Sequence, residues 1–162
     1  MADRSTPAWA RTATLALSVA GLAVSVYLTV DHFTTRSMLA CPATATINCA
    51  KVTTSAYASM LGIPVALYGL AFFVAMVALT LPYAWRDPRL RTARLGAAVV
   101  GVAFVVYLVG AELFGVGAIC LWCTAVHVIT VAIFAVLAFA TALTPGSGTA
   151  TPPPTARNSR RS

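Results

Sequence analysis

Two cysteines in the last third of the chain form a CxxC motif, Cys120-Leu121-Trp122-Cys123. When such a motif opens a helix, the first thiol lies near unpaired backbone N–H groups and the positive end of the helix dipole, which favour the thiolate. Two thiols placed in this way can cycle between a dithiol and a disulfide. The same spacing also fits half of a zinc site, or two small apolar residues in a core, so the motif alone leaves these alternatives open.

A second pair, Cys41 and Cys49, lies in a segment that contains Pro42 and several threonines. One alternative is a permanent structural disulfide between them, which stabilises the fold by roughly 2 to 4 kcal/mol through the loop it closes. In a second alternative the two thiols are mobile and exchange with the CxxC, because exchange needs a thiolate that reaches an accessible sulfur. A four-thiolate zinc site is the third, although seven intervening residues exceed the usual spacing of paired ligands.

A few polar and aromatic residues are candidates for a pocket beside the CxxC. Glu112 is the only acidic residue inside an apolar segment, and a carboxyl in a membrane helix is a candidate functional group. It either handles protons or contacts a polar group of a neighbouring helix. His127 falls one turn after Cys123 on the same helical face, as a pocket residue or as a packed histidine. Further candidates for the pocket are Ser55, the interrupted helix start Gly62-Ile63-Pro64, and the aromatic residues Tyr68, Tyr107 and Trp122, which otherwise act as interfacial anchors.

The composition indicates the environment in which these residues lie. Of the 162 residues, 59% are hydrophobic and 9% are charged, whereas a soluble domain carries about 25% charged residues. The charges cluster and leave long uncharged runs, which is typical of a membrane protein with several spans. The net charge of +7 comes from short arginine blocks between apolar runs, which argues against a nucleic-acid-binding surface.

Four apolar segments are long enough to cross a membrane as helices, since a crossing takes about 20 mainly apolar residues. They run from Ala13 to Val30, from Ser59 to Leu81, from Leu95 to Val116 and from Leu121 to Leu143. The first is too long for a typical secretory signal and no A-x-A-like cleavage site follows it, so we expect it to be retained. The predicted fold class is an all-α integral membrane protein, a four-transmembrane-helix bundle with a long outer loop between helices 1 and 2.

The basic residues predict the orientation of these spans. Nine of them lie in the N-terminal segment, the connection between the second and third spans and the C-terminal tail, against two in the other connections. We therefore expect residues 1–12 to be a cytoplasmic segment, 13–143 the membrane domain and 144–162 a cytoplasmic tail, disordered because it is rich in Pro, Gly and Ser. All four cysteines then lie on the outer face of the membrane, where disulfides form and persist.

Taken together, the motifs resemble the vitamin K epoxide reductase family, in its bacterial branch without a fused thioredoxin-like domain. The likeness covers about residues 15 to 143 and rests on the order and spacing of motifs across the four spans. The matching segments are Cys41-Pro42, Asn48 to Val52, Ser55, Gly62 to Gly69, Tyr107-Leu108 with Glu112, and Cys120 to His127. The resemblance implies a quinone-dependent thiol-disulfide oxidoreductase of the bacterial cytoplasmic (inner) membrane.

The resemblance also implies a role for each cysteine. Cys123 is the sulfur that faces the quinone, and Cys120 is the one that exchanges with the loop. Cys49 exchanges with Cys120, and Cys41 meets the partner protein. The implied partner is a separate periplasmic or extracellular thioredoxin-like (DsbA-like) protein, and the implied acceptor is menaquinone, ubiquinone or a vitamin K type quinone.

The residues expected to contact the quinone are Ser55, Tyr68, Glu112, Trp122 and His127. Ser55 matches the family's active-site loop serine, and His127 stands where the vertebrate members have a tyrosine that contacts the quinone. No asparagine stands at the start of the second span, where the vertebrate members have one, which favours a plain quinone over vitamin K epoxide. Two other functions fit part of the pattern: a proton-coupled small four-span transporter that uses Glu112, and a zinc-binding membrane protein.

Overall fold

The computed structural model describes residues 6–34 and 39–143, and most of this part of the chain is helical. The longer helices are α1 (Ala8–Phe33), α3 (Val65–Thr80), α4 (Pro88–Gly110) and α5 (Leu121–Leu143). Between α1 and α3 lie a short helix α2 (Cys49–Thr53), a 3-10 turn (Ala56–Ala58) and the strands β1 (Ser59–Met60) and β2 (Ile63–Pro64). A second 3-10 turn (Pro82–Arg86) precedes α4, which continues as a π-helix over Ala111–Val116. The predicted tail 144–162 lies outside the described residues.

Within the described residues, three helices are long and apolar enough to cross a membrane, namely Ala8–Phe33, Arg89–Val116 and Leu121–Leu143. They contain the first, third and fourth predicted spans. The helix α3 has 16 residues, and at 1.5 Å per residue it covers about 24 Å, against a hydrocarbon core of roughly 30 Å. The helical fold is therefore confirmed, whereas the count of four spans stays a prediction.

The predicted start of the second span at Ser59 is wrong. Residues Ser59 to Pro64 form a two-stranded antiparallel hairpin in which Met60 pairs with Ile63, and α3 begins only at Val65. The two residues of the turn, Leu61 and Gly62, both have positive φ, as a two-residue type I′ hairpin turn requires. Pro64 then fixes the start of α3, because it cannot donate a backbone hydrogen bond inside a helix.

The four longer helices form a closed bundle. The helix α1 packs against α3 and α5, and α4 packs against α5 and α3. Ring contacts of Trp9 with Phe139 and of Tyr27 with Trp122 show that α1 and α5 run antiparallel. The main apolar core consists of Phe73, Met76, Ala98, Ile133 and Leu137, and it lies deeper in the bundle than the cysteines.

Arginine and cysteine residues lie at opposite ends of this bundle. The buried Arg94, near the start of α4, donates from Nη1 to the carbonyl oxygen of Leu79 (2.9 Å) at the end of α3. Its guanidinium also stacks on the Trp85 ring at 3.5 Å from the centroid, a favourable cation–π arrangement. At the other end, Cys120 directly precedes α5. This polarity is the one expected if the basic connection and the cysteines face opposite sides of a membrane.

Close packing of α1 against α3 depends on Gly21, and we expect Gly21→Ala to lower the free energy of unfolding by about 1 to 3 kcal/mol. An added Cβ would clash with the buried ring of Phe73. The matched control is Gly96→Ala in α4, where a Cβ meets no packed neighbour within 4 Å and improved helix propensity makes the change neutral or stabilising by up to about 1 kcal/mol. Denaturant titration in detergent micelles measures both variants, and equal effects would contradict this view of the helix contact.

Candidate active site

The loop that carries Cys49 is held against the start of α5 by main-chain hydrogen bonds. The backbone N–H of Asn48 donates to the carbonyl oxygen of Ile119 (3.0 Å), and the N–H of Ile119 donates to that of Thr46 (2.9 Å). These bonds form a parallel bridge between Ile47 and Ile119. The residues that directly precede Cys49 and Cys120 are therefore hydrogen-bonded to each other, which places the two cysteines side by side.

The short helix α2 fixes the direction of Cys49. Its N-cap is Asn48, whose side-chain oxygen accepts a hydrogen bond from the N–H of Lys51 (3.0 Å), as N-cap asparagines do. Cys49 then lies in a buried cluster that contains Val52, Ala118 and Cys120. The loop thus directs one of its cysteines towards the CxxC.

The four cysteines are present in two different states. Cys41 and Cys49 form a disulfide, while Cys120 and Cys123 are free thiols. Cys49 and Cys120 are 2% and 0% exposed, whereas Cys41 is only half-buried. Of the disulfide's two sulfurs, the one on Cys41 is therefore the more open to an attacking thiol from outside, and the one on Cys49 lies on the side of the CxxC.

The CxxC stands at the N-terminus of α5, as the sequence predicts. The carbonyl oxygen of Cys120 accepts the N–H of Thr124 (2.9 Å), so Cys120 is at the N-cap position. A hydrogen bond from the Cys123 thiol, with further hydrogen bonds from the N–H groups of Cys123 and Trp122, holds the pKa of the Cys120 thiol below its usual range. The Cys123 N–H lies 3.4 Å from the Cys120 sulfur. Lowering the pKa of a thiol increases its thiolate fraction and makes it a better leaving group.

A cavity of about 360 Å³ lies between the helices, and Cys123 is one of the residues that line it. Most of its lining side chains are apolar, among them Leu28, Phe72, Phe104 and Val126. Small-molecule sites typically have volumes of roughly 300 to 1,000 Å³, apolar walls and a few placed polar groups. This cavity meets that description, because Cys123 and several polar side chains line an otherwise apolar space.

The cavity brings together four of the five residues expected to contact the quinone. They are Ser55, Tyr68, Glu112 and His127. The hydroxyl of Ser55 donates to the carbonyl oxygen of Val52 (2.8 Å), and that of Tyr68 donates to the carbonyl oxygen of Met60 (3.1 Å). Each of these two hydroxyls therefore has its proton engaged and is left as a hydrogen-bond acceptor.

Glu112 reaches the site through the π-helix at the end of α4. Its backbone carbonyl accepts hydrogen bonds from the N–H groups of Gly117 (2.9 Å) and Ala118 (3.3 Å). This is the wide turn of a π-helix, which is frequent at functional sites. Its buried carboxyl lines the cavity and interacts with the backbone N–H of Cys120. A charge on this carboxylate acts on both thiols of the CxxC. Proton binding at Glu112 and thiolate formation are thus electrostatically linked.

Trp122 does not line the cavity, which corrects the expectation that its side chain forms part of the cavity wall. Its indole N–H donates to the carbonyl oxygen of Ala40 (3.2 Å), and its ring meets the edge of Tyr27 at a centroid distance of 4.9 Å. The rotation of α5 turns Trp122 towards α1 and the loop while Cys123 and His127 face the cavity. Tyr107 is likewise outside the lining, 48% exposed and stacked on Phe104.

Two features of the site were not predicted from the sequence. The backbone bridge at Ile119 has no side-chain signature, although Asn48 three residues before Lys51 is a recognisable N-cap signal. Ser25 lines the cavity, and its spacing from Thr14, Ser18 and Gly21 marks one buried face of α1. That stripe of small and polar residues in a span was the available signal.

Comparison with known proteins bears on this arrangement of cysteines and cavity. The model of the vitamin K epoxide reductase family matches residues 12–138, a range that includes all four cysteines, the cavity and nearly all of the bundle. A search of curated proteins found no match. The family is one of membrane oxidoreductases that use quinones and redox cysteines. The matched range covers most of the sequence, so the chain belongs to the vitamin K epoxide reductase family.

Proposed function

We propose that this protein reoxidises a separate thioredoxin-like, disulfide-forming partner and passes the electrons through its two cysteine pairs to a membrane quinone. The observation that carries the proposal is the backbone pairing of Asn48 with Ile119, because it puts Cys49 beside Cys120. On the other side of the CxxC, Cys123 faces an apolar cavity. The two pairs are thus arranged in series between a protein surface and a site for a lipid-soluble acceptor.

The first step transfers two electrons from the partner to the loop. A partner thiolate attacks the sulfur of Cys41, the bond between Cys41 and Cys49 breaks, and Cys49 leaves as the thiolate. The partner's second thiol then attacks the partner's first sulfur, which is bonded to Cys41 in the mixed disulfide. This forms the partner's disulfide and releases Cys41 as the thiolate. The partner leaves with a disulfide, and the loop holds a dithiol.

The second step transfers the electrons to the CxxC in its oxidised form. The Cys49 thiolate attacks the sulfur of Cys120, and Cys123 leaves as the thiolate. Cys41 then attacks Cys49, which restores the loop disulfide and releases Cys120. Because its lowered pKa makes Cys120 a good leaving group, this resolution proceeds towards the reduced CxxC.

A quinone supplies the final acceptor, taking two electrons and two protons as Cys120 and Cys123 return to the disulfide. The residues proposed to surround it are Ser55, Tyr68 and His127, which line the cavity with Cys123. Glu112 is proposed to deliver a proton, since it lines the same cavity and its charge acts on both thiols. Loss of the thiol protons and proton uptake by the quinone thereby occur at one site.

The proposed setting is a bacterial cytoplasmic membrane with both termini inside and the cysteines outside. We include α3 as the fourth span, because it packs along α1 and supplies Phe73 and Met76 to the core. A helix shorter than the hydrocarbon core is accommodated by local thinning of the bilayer. The segment 1–12 and the tail 144–162 are assigned to the cytoplasm from the distribution of basic residues.

The test is an assay of purified protein in lipid nanodiscs with a reduced thioredoxin-like protein and menadione. We expect one partner disulfide to form for each quinol, followed by the loss of partner thiols and by the quinone absorbance. Glu112→Gln should slow quinol formation by about 10²- to 10⁴-fold, because general acid–base catalysis contributes on this scale, while exchange between the partner and Cys41–Cys49 keeps its rate. Partner oxidation that continues over many turnovers without quinol formation in the parent protein would overturn the proposal.

Two other measurements, uptake into vesicles and zinc content, separate the two alternatives. A transporter that uses Glu112 predicts that proton-coupled uptake into vesicles fails in Glu112→Gln and survives loss of Cys120 and Cys123. A four-thiolate zinc protein requires four thiolates, whereas Cys41 and Cys49 form a disulfide. It therefore predicts stoichiometric zinc in reduced protein and no response of the thiols to menadione.

A further inference from the structure

A quinone ring in this cavity needs hydrogen-bond donors for its carbonyl oxygens. On leaving water these oxygens lose their hydrogen bonds, and a buried acceptor without a donor is unfavourable. Among the Ser and Thr hydroxyls that line the cavity, three already donate to main-chain carbonyl oxygens. They are Thr53 to Cys49 (3.0 Å), Ser55 to Val52 (2.8 Å) and Thr130 to Val126 (2.9 Å).

Ser25 is the exception. It is 2% exposed and lines the cavity, and no atom of the described residues accepts a hydrogen bond from its Oγ or donates one to it. Other buried hydroxyls of α1 donate to the carbonyl four residues earlier, Thr14 to Ala10 (2.6 Å) and Ser18 to Thr14 (2.7 Å). Buried polar groups are almost always paired, so an unpaired hydroxyl at a cavity wall indicates a ligand partner.

The contacts between α1 and α5 give the depth of Ser25. Trp9 meets Phe139 and Tyr27 meets Trp122, so Ser25 lies level with about Thr124 of the antiparallel α5. At 1.5 Å per residue, that is about 2 Å deeper than Cys123 and about 4 to 5 Å above His127. The hydroxyl is therefore at the height of the sulfur that faces the cavity.

The neighbouring helix leaves this hydroxyl uncovered. Gly69 of α3 lies opposite Ser25, and an added Cβ would stand 3.3 Å from Oγ. A side chain at position 69 would fill the space in front of the hydroxyl. The glycine thus keeps Ser25 open to an occupant of the cavity.

We propose that the Ser25 hydroxyl donates a hydrogen bond to a carbonyl oxygen of the bound quinone and so fixes the ring at the height of Cys123. The inference rests on the proposed function and adds a binding residue from α1. His127 lines the same cavity about one turn of α5 deeper and offers a second donor. Ser25 and His127 then hold the ring at two heights, with the reactive sulfur beside it.

The test compares Ser25→Ala with Ser18→Ala in protein whose two cysteine pairs are both oxidised, so that bound menadione is not reduced. Ser18 is the matched control, because it is a fully buried serine of the same helix whose hydroxyl is engaged with Thr14 and does not line the cavity. We expect Ser25→Ala to weaken menadione binding by about 3- to 10-fold, the usual effect of one net hydrogen bond, and Ser18→Ala to leave it unchanged. Quenching of tryptophan fluorescence in nanodiscs measures the dissociation constants.

Two further readouts separate a hydrogen bond from a change in cavity shape. In infrared difference spectra, a carbonyl band of bound menadione should move to higher frequency in Ser25→Ala, since the hydrogen bond that lowers it is lost. Binding of 2-methylnaphthalene, which has the same rings without oxygens, should be unaffected. An unmoved carbonyl band, or equal weakening of both ligands, overturns the role of Ser25. Failure of the parent protein to bind menadione overturns the proposed function itself.

Discussion

Replacing Cys123 by alanine is expected to lower quinone reduction by a reduced thioredoxin-like partner by at least about 10³-fold, since removal of a reacting nucleophile has effects of this size or larger. Cys123 is the CxxC sulfur that lines the apolar cavity, so its loss removes the contact between the thiol relay and the acceptor. Cys120→Ala should be equally inactive, because the loop then has no sulfur with which to exchange. Steady-state quinol formation in nanodiscs measures both variants.

The matched control for these variants is Leu121→Ala, a change within the same motif at a side chain that is 48% exposed and outside the cavity lining. It should keep most of the parental rate. A second readout shows where the relay stops. With Cys123→Ala and Cys120→Ala, one equivalent of partner should still be oxidised rapidly by the Cys41–Cys49 disulfide before turnover ends. Full turnover in the protein lacking both CxxC cysteines would refute the mechanism.

Much of the helical framework follows from the sequence, because a span is a simple physical requirement. Long apolar runs predict α1, α4 and α5, and the structure has all three as helices of sufficient length. The helix α3 is shorter than the predicted second span because the local conformation of Leu61, Gly62 and Pro64 overrides hydropathy. A hydropathy window counts these residues as apolar and does not register that they form a turn and a helix stop.

The site is predicted less completely than the helices, for reasons of rotation and backbone pairing. The spacing of Cys123 and His127 correctly predicts a shared face of α5, but whether Trp122 shares the cavity depends on how α5 is rotated against α1. The docking of the loop on Ile119 is made by main-chain atoms, which every residue has. Ser25 is recognisable only once the hydrogen bonds of the neighbouring hydroxyls are known.

The backbone pairing at Ile119 also predicts which loop cysteine reaches the CxxC. In the variant Cys41→Ala/Cys123→Ala only Cys49 and Cys120 remain, and we expect mild oxidation to join them almost completely in an intramolecular disulfide. Both belong to one buried cluster, and the residues that precede them are hydrogen-bonded at 3.0 Å between Asn48 and Ile119. Peptide mapping by mass spectrometry under non-reducing conditions identifies the bridge and gives its rate of formation.

The control is Cys49→Ala/Cys123→Ala, which pairs the other loop cysteine, Cys41, with Cys120. Because disulfide exchange requires the sulfurs to meet, this pair should bridge at least about 10 times more slowly. Adding Ile119→Pro to the first variant removes the N–H that donates to Thr46. The loop then loses one of the two main-chain hydrogen bonds that join it to Ile119, so the Cys49–Cys120 bridge should also form more slowly. Equal rates in all three variants would mean that the loop moves freely over the CxxC and that its docking does not select Cys49. A slower bridge in both comparisons assigns the order of the relay to the backbone pairing, which holds Cys49 and no other loop sulfur at the CxxC.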